Sequence, residues 1–224
     1  MTHVGVISAN LGAYDQPVEW PALLAPPGVE VSICRLTDAT YAPRPLAMTS
    51  RLQCGIPKWF GWQFIAGDSD AILWIDASCA PTAGAVPWFL EQLGSAEVAA
   101  FAHPDRHTVR EEYAFIRARM RRPGERYLTS RYQGEWLEDE FDAIRMAGKA
   151  DLPLYATTAF IYRPTARVQA AFAECFLWKA RYCLHDQLAF PYVLDRHQVS
   201  VSVIYENYLK CAALTYVRNR KKAA

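Results

Sequence analysis

The chain reads as an α/β protein of one domain, with helices flanking a mostly parallel central sheet. Three observations predict this. Apolar, β-rich runs recur at residues 4–8, 29–35, 71–75, 98–102, 154–162 and 199–204. Helical patterns lie between most of them, the alternation that builds a parallel sheet. Several runs also end abruptly on polar residues, and in open α/β sheets the carboxyl ends of strands are where ligands bind. The length of 224 residues and the 52% hydrophobic content suit a single full core.

The first strand, 4–8, runs into a turn containing Asn10, Gly12, Tyr14 and Asp15. Gly12 permits tight backbone. Tyr14 and Asp15 set a ring and a carboxylate just past a strand end, where a nucleotide base and ribose could be held. Pro17, Pro21, Pro26 and Pro27 keep the next connection irregular. The second strand, 29–35, closes on Thr37 and Asp38, a second acid at a strand end. Residues 39–50 read as loop. Residues 51–64 read as partly helical, interrupted by Gly55 and Pro57. There Lys58 lies among Trp59, Phe60 and Trp62, either paired with a diphosphate or snorkelling from an apolar surface.

The run from Ala71 to Ile75 reads as a strand buried on both faces, stopping at Asp76. Asp76 is either a site carboxylate or the cap of the next turn or helix. A helix over 86–93 comes next, with Trp88, Phe89, Leu90 and Leu93 at core spacing. The strand over 98–102 opens directly into His103, Pro104, Asp105, Arg106 and His107. A helix over 108–120 carries Glu111 and Glu112, with Glu112 either solvated or paired along the helix with Arg119. Arg117, Arg119, Arg121, Arg122, Arg126 and Arg131 make the one basic concentration. This is either a solvated face or a contact for a polyanion such as DNA. A mixed-charge helix over 135–146 offsets it in part. The strand over 154–162 has Thr157 and Thr158 at its head. An alanine-rich helix covers 166–180, and Asp186 and Gln187 open a last helix. Residues 1–210 are taken as the domain, and 211–224 as a basic tail.

A net charge of +1 argues for no global field drawing nucleic acid or membrane. The six cysteines form no Cys-x-x-Cys pair and no zinc spacing, so free thiols are expected. No apolar run approaches the roughly 18 residues of a membrane span. With no basic leader in view, a soluble, cytoplasmic protein with no membrane span is expected.

Four pieces in order resemble one family. They are Gly12, Tyr14 and Asp15; Trp74, Ile75 and Asp76; His103, Pro104 and Arg106 with Glu112; and His185, Asp186, Gln187 and Leu188. Together they are similar to the GT-A glycosyltransferase-like family once filed as a domain of unknown function and later linked to plant mucilage synthesis, with bacterial and phage relatives. The likeness covers about residues 4–195. It implies a GT-A-like, Rossmann-like fold and sugar transfer from a nucleotide-sugar donor to a hydroxyl acceptor. That acceptor would be a glycan, a lipid or, in a phage protein, a hydroxymethylated DNA base.

The resemblance implies roles. Gly12, Tyr14 and Asp15 would hold base and ribose, while Lys58, Arg106 and Gln187 would bind the rest of the donor. Asp76 would orient the sugar diphosphate, or bind Mn²⁺ or Mg²⁺ together with His103. Asp186 would be the general base or a sugar-orienting acid. There are departures. GT-A enzymes carry a second Asp two positions after the first, and Ser78 stands there, which weakens the expectation of a metal. His185 stands where the family has Arg, and Cys54 to Lys58 match only part of another family segment. The alternative is a non-catalytic nucleotide-sugar or glycan-binding module on the same fold. A serine hydrolase is disfavoured, because no Gly-x-Ser-x-Gly elbow is present.

Overall fold

The computed structural model describes residues 1–12 and 14–217. Its strands are β1 (Thr2–Asn10), β2 (Val29–Thr37), β3 (Ala71–Ile75), β4 (Cys79–Pro81), β5 (Val98–Ala102), β6 (Tyr155–Tyr162), β7 (Val201–Ile204) and β8 (Leu214–Tyr216). Its helices are α1 (Ser50–Trp59), α2 (Ala85–Leu93), α3 (Val109–Met120), α4 (Tyr127–Tyr132), α5 (Leu137–Met146), α6 (Ala166–Arg181) and α7 (Asp186–Arg196). No described helix is long and apolar enough to cross a membrane. All six cysteines are free thiols.

Six strands form one sheet in the order β2-β1-β3-β6-β5-β7. Five point the same way, and β6 alone runs antiparallel to its neighbours β3 and β5. The alternation of side chains along each strand explains the apolar runs. Ile7, Ile72, Trp74, Ala100, Phe160 and Tyr162 face a core closed by α1, α6 and α7. Val4, Val6, Leu73, Ile75, Phe101 and Ile161 face a second core closed by α2. A third cluster joins α3, α4 and α5 to Cys183 and Leu188. The result is a sheet with helices on both faces.

Helix starts follow cap chemistry. The hydroxyls of Thr49, Thr108 and Thr165 accept from the backbone N–H groups of Leu52, Glu111 and Val168. Thr108, expected as the first helical residue, is therefore the cap. Gly55 and Pro57 do not interrupt α1, which runs through both. Packing of Trp59 against Phe160, Phe172 and Phe190 outweighs the local cost. The expected tail is corrected in part. Residues 214–216 pair with β4, and Cys211, Ala213 and Leu214 are buried in the second core. The basic residues Arg218, Arg220, Lys221 and Lys222 lie outside the described residues.

The chain leaves β1 to build β2 on one side and returns to build β3 on the other. This is a topological switch point, and a crevice opens there beyond the carboxyl ends of the two strands. Because β6 is reversed, its head, with Thr157 and Thr158, reaches the same edge.

Candidate functional site

A cavity of about 450 Å³ occupies this edge. β1 contributes Asn10, β3 ends on Asp76 and β5 leads to His103. α1 contributes Arg51 and Lys58, α4 contributes Tyr127, Arg131 and Tyr132, and the α6–α7 corner contributes Lys179, His185, Asp186 and Gln187. Of the expected site residues, Tyr14, Asp15, Lys58, Asp76, His103, Arg106, Asp186 and Gln187 all line this one cavity. Gly12 does not line it. Its φ of +72° turns the chain, its N–H donates to Asp38 at 2.9 Å, and a Cβ there would press on Ser50 at 2.8 Å. Gly12 therefore shapes the loop that presents Tyr14 and Asp15. The Asn10 side chain clamps the same loop through both the N–H and the carbonyl of Asp15.

At the floor, two lysines grip one carboxylate. Lys58 Nζ lies 2.9 Å from Asp186 Oδ2, and Lys179 Nζ lies 2.8 Å from Asp186 Oδ1. Lys58 also reaches Asp76 Oδ1 at 3.5 Å, which the Trp74 indole N–H approaches to 2.8 Å. Burial opposes each of these charges, but the partners win. Asp186 is held well below the usual carboxylate range by Lys179 and Lys58 against its own desolvation. The Lys58 ammonium is raised above its ordinary value by Asp186 and Asp76, again against desolvation. Lys58 is thus neither a snorkelling surface lysine nor a free cation. Both oxygens of Asp186, expected as general base or sugar-orienting acid, face lysines, so the carboxylate holds those two ammonium groups in place. Asp76 is the more open carboxylate, with 35% of its side chain exposed.

Elsewhere along the lining, Glu112 joins two partners. Arg106 Nε donates to it, and His185 Nε2 lies 3.0 Å from its other oxygen, although off the line of a good hydrogen bond. The Tyr132 hydroxyl meets His185 Nδ1 at 2.9 Å. Burial would raise the Glu112 carboxyl, but His185 and Arg106 bring it down to about 2. Glu112 does not pair along its helix with Arg119, which instead binds Glu125 at 2.6 Å.

The residues present do not fit a divalent ion. Asp76 Oδ1 already faces the Trp74 N–H and the Lys58 ammonium. Both ring nitrogens of His103 face donors: the amides of Asp105 and Arg106 at Nδ1, both at 3.2 Å, and the Arg106 guanidinium at Nε2, at 2.9 Å. A hard ion needs several oxygen ligands, and among the described residues no three His, Cys, Asp or Glu side chains converge to supply them. Asp76 and His103, expected to share a metal, line the same cavity, and in this arrangement Asp76 Oδ1 and the His103 ring face protein donors.

Sequence reasoning passed over Lys179 and Arg51. Lys179 sits in the last turn of an amphipathic helix, the ordinary place for a cation. Gly55 is the indirect signal, because a Cβ there would meet the Lys179 stem at 3.1 Å. Arg131 stands out in the sequence only as one of a surface cluster. In the fold, Arg117 pairs with Glu138 and Arg119 with Glu125, while Arg131 turns into the cavity. No protein-family model matches the chain, and no curated protein matches it.

Proposed function

We propose that this chain is a nucleotide-sugar-dependent glycosyltransferase of GT-A-like architecture, acting on a hydroxyl acceptor. The observation that carries the reading is one cavity at the switch point that gathers lysines and arginines beside a partly exposed strand-end carboxylate. Such a cavity suits a ligand with a diphosphate and a neutral sugar. Cations offset the charge that develops on the leaving diphosphate. Tyr14 and Asp15 hold the base and ribose. Asp76 orients the sugar and takes the acceptor proton as the acceptor oxygen attacks the anomeric carbon and the bond to the diphosphate breaks. Lys58 and the Trp74 indole fix the Asp76 carboxylate, and Asp186 fixes the lysines.

The test is a screen of the purified chain against UDP-, GDP-, CMP- and dTDP-sugars, with Mn²⁺ or with chelator. One donor is expected to raise Tm and to release its nucleotide slowly, with both signals surviving chelation. Asp76→Asn is expected to cut release by about 100-fold or more while leaving the Tm shift. Silence across all donors defeats the reading. Binding without turnover in wild type, as inert as in Asp76→Asn, would favour the non-catalytic module, a reading motivated by Ser78 at the second Asp position.

A further inference from the structure

Among the described residues, five lysines and arginines line the cavity: Arg51, Lys58, Arg106, Arg131 and Lys179. Three are neutralised from within, Lys58 and Lys179 by Asp186 and Arg106 by Glu112. Arg51 and Arg131 have no carboxylate partner among the described residues, and their fixed contacts are neutral. Arg51 Nη1 donates to the carbonyl oxygen of Arg131 at 3.0 Å, and Arg131 donates to the Tyr127 hydroxyl. Both guanidinium groups lean on the Tyr132 ring, 5.7 and 5.8 Å from its centre, and Arg131 also lies 5.1 Å from the Tyr127 ring. Arg51 Nη2 and Arg131 Nε are buried with no hydrogen-bond partner. Two cations held together with N–H groups left over are costly until an anion joins them. Arg51 and Lys58 stand seven residues apart on α1, two turns along one face, or about 10 Å. The arginine pair is thus a charge centre separate from the lysine clamp.

We propose that Arg51 and Arg131 form an oxyanion subsite that takes the diphosphate of the donor, the task that sequence reasoning gave to Lys58 and Arg106. Only the naming of the donor rests on the glycosyltransferase reading. The chemistry of the subsite, two guanidinium forks receiving phosphate oxygens, stands by itself. Tyr14 and Asp15, the expected base and ribose contacts, line the same cavity as the arginine pair.

The test is titration calorimetry with inorganic pyrophosphate on wild type, Arg51→Gln, Arg131→Gln and the exposed control Arg122→Gln. Each cavity variant is expected to weaken binding by at least about tenfold, with the control unchanged. Arg51 also ties α1 to α4, so a second measurement spares the fold. Phenylglyoxal labelling of wild type, read by peptide mass spectrometry, should show pyrophosphate protecting Arg51 and Arg131. Undiminished binding in both variants, protection elsewhere, or no pyrophosphate binding by wild type overturns the subsite. If nucleotide sugars are turned over equally by wild type and both variants, the transferase reading stands and the subsite falls. If pyrophosphate is held by the pair but no nucleotide sugar binds, the subsite stands and the donor reading falls.

Discussion

Burying one carboxylate between two ammonium groups sets what Asp186 can do. Its side chain is 10% exposed and both oxygens are taken. Removing its charge would leave Lys58 and Lys179 buried against each other. Asp186→Asn is therefore expected to lower stability at pH 7 by about 3–5 kcal/mol, the cost of breaking a buried pair. The sign with pH comes from a folded pKa below the ordinary 3.8. The contribution is present above 3.8 and is lost as pH falls toward the lower folded value. Urea midpoints of wild type and variant should differ widely at pH 7 and draw together as pH drops below 3.8. A gap under about 1 kcal/mol at pH 7, no more than a surface pair is worth, would show that the lysines are held by other means. Asp186 was visible in the sequence as an acid opening a helix. Lys179 was not, because its path to Asp186 passes through the space left by Gly55 on another helix.

Helix α5 shows how an element can look ordinary and carry a strained residue. Its acids read as a partial offset to the arginine cluster, and Glu138 and Asp139 are exposed. Glu140 is not: it is 0% exposed, and neither oxygen makes a well-formed hydrogen bond. Burial, with Asp186 and Glu135 nearby, pushes its carboxyl well above the ordinary 4.5. A raised folded pKa means that the native state binds the extra proton, so stability falls as pH rises above 4.5. Glu140→Gln should then stabilise the protein by about 1–3 kcal/mol near neutral pH and lose that advantage below pH 4.5. Thermal melts of both proteins across pH 4 to 8 check this, and a destabilised variant at pH 8 would refute it. Long, periodic elements such as α6 were legible. The six-residue α4 was not, since less than two turns of chain show no period, yet α4 delivers Tyr127, Arg131 and Tyr132 to the cavity.

At the scale of the molecule, the two cores share the central sheet, and unfolding is expected to be one cooperative transition. The segment around β8 belongs to that unit. Leu214, 4% exposed against β4, should cost about 2–4 kcal/mol on substitution by Ala. A chemical denaturation curve unmoved by Leu214→Ala would return the segment to a loose tail. The sequence by itself determined that there would be a sheet with helices on both faces, because a strand buried on both sides must be apolar at every position. It also determined that strand ends would carry the polar groups, because the sheet's interior cannot hold them. It could not tell that β6 runs backward, since an apolar run has no mark of direction. Nor could it tell which charges are already spent on each other. Only the tertiary structure decided that Lys58 and Arg106 answer to carboxylates of the same chain while Arg51 and Arg131, among the described residues, do not, because pairing depends on distances between elements far apart in sequence.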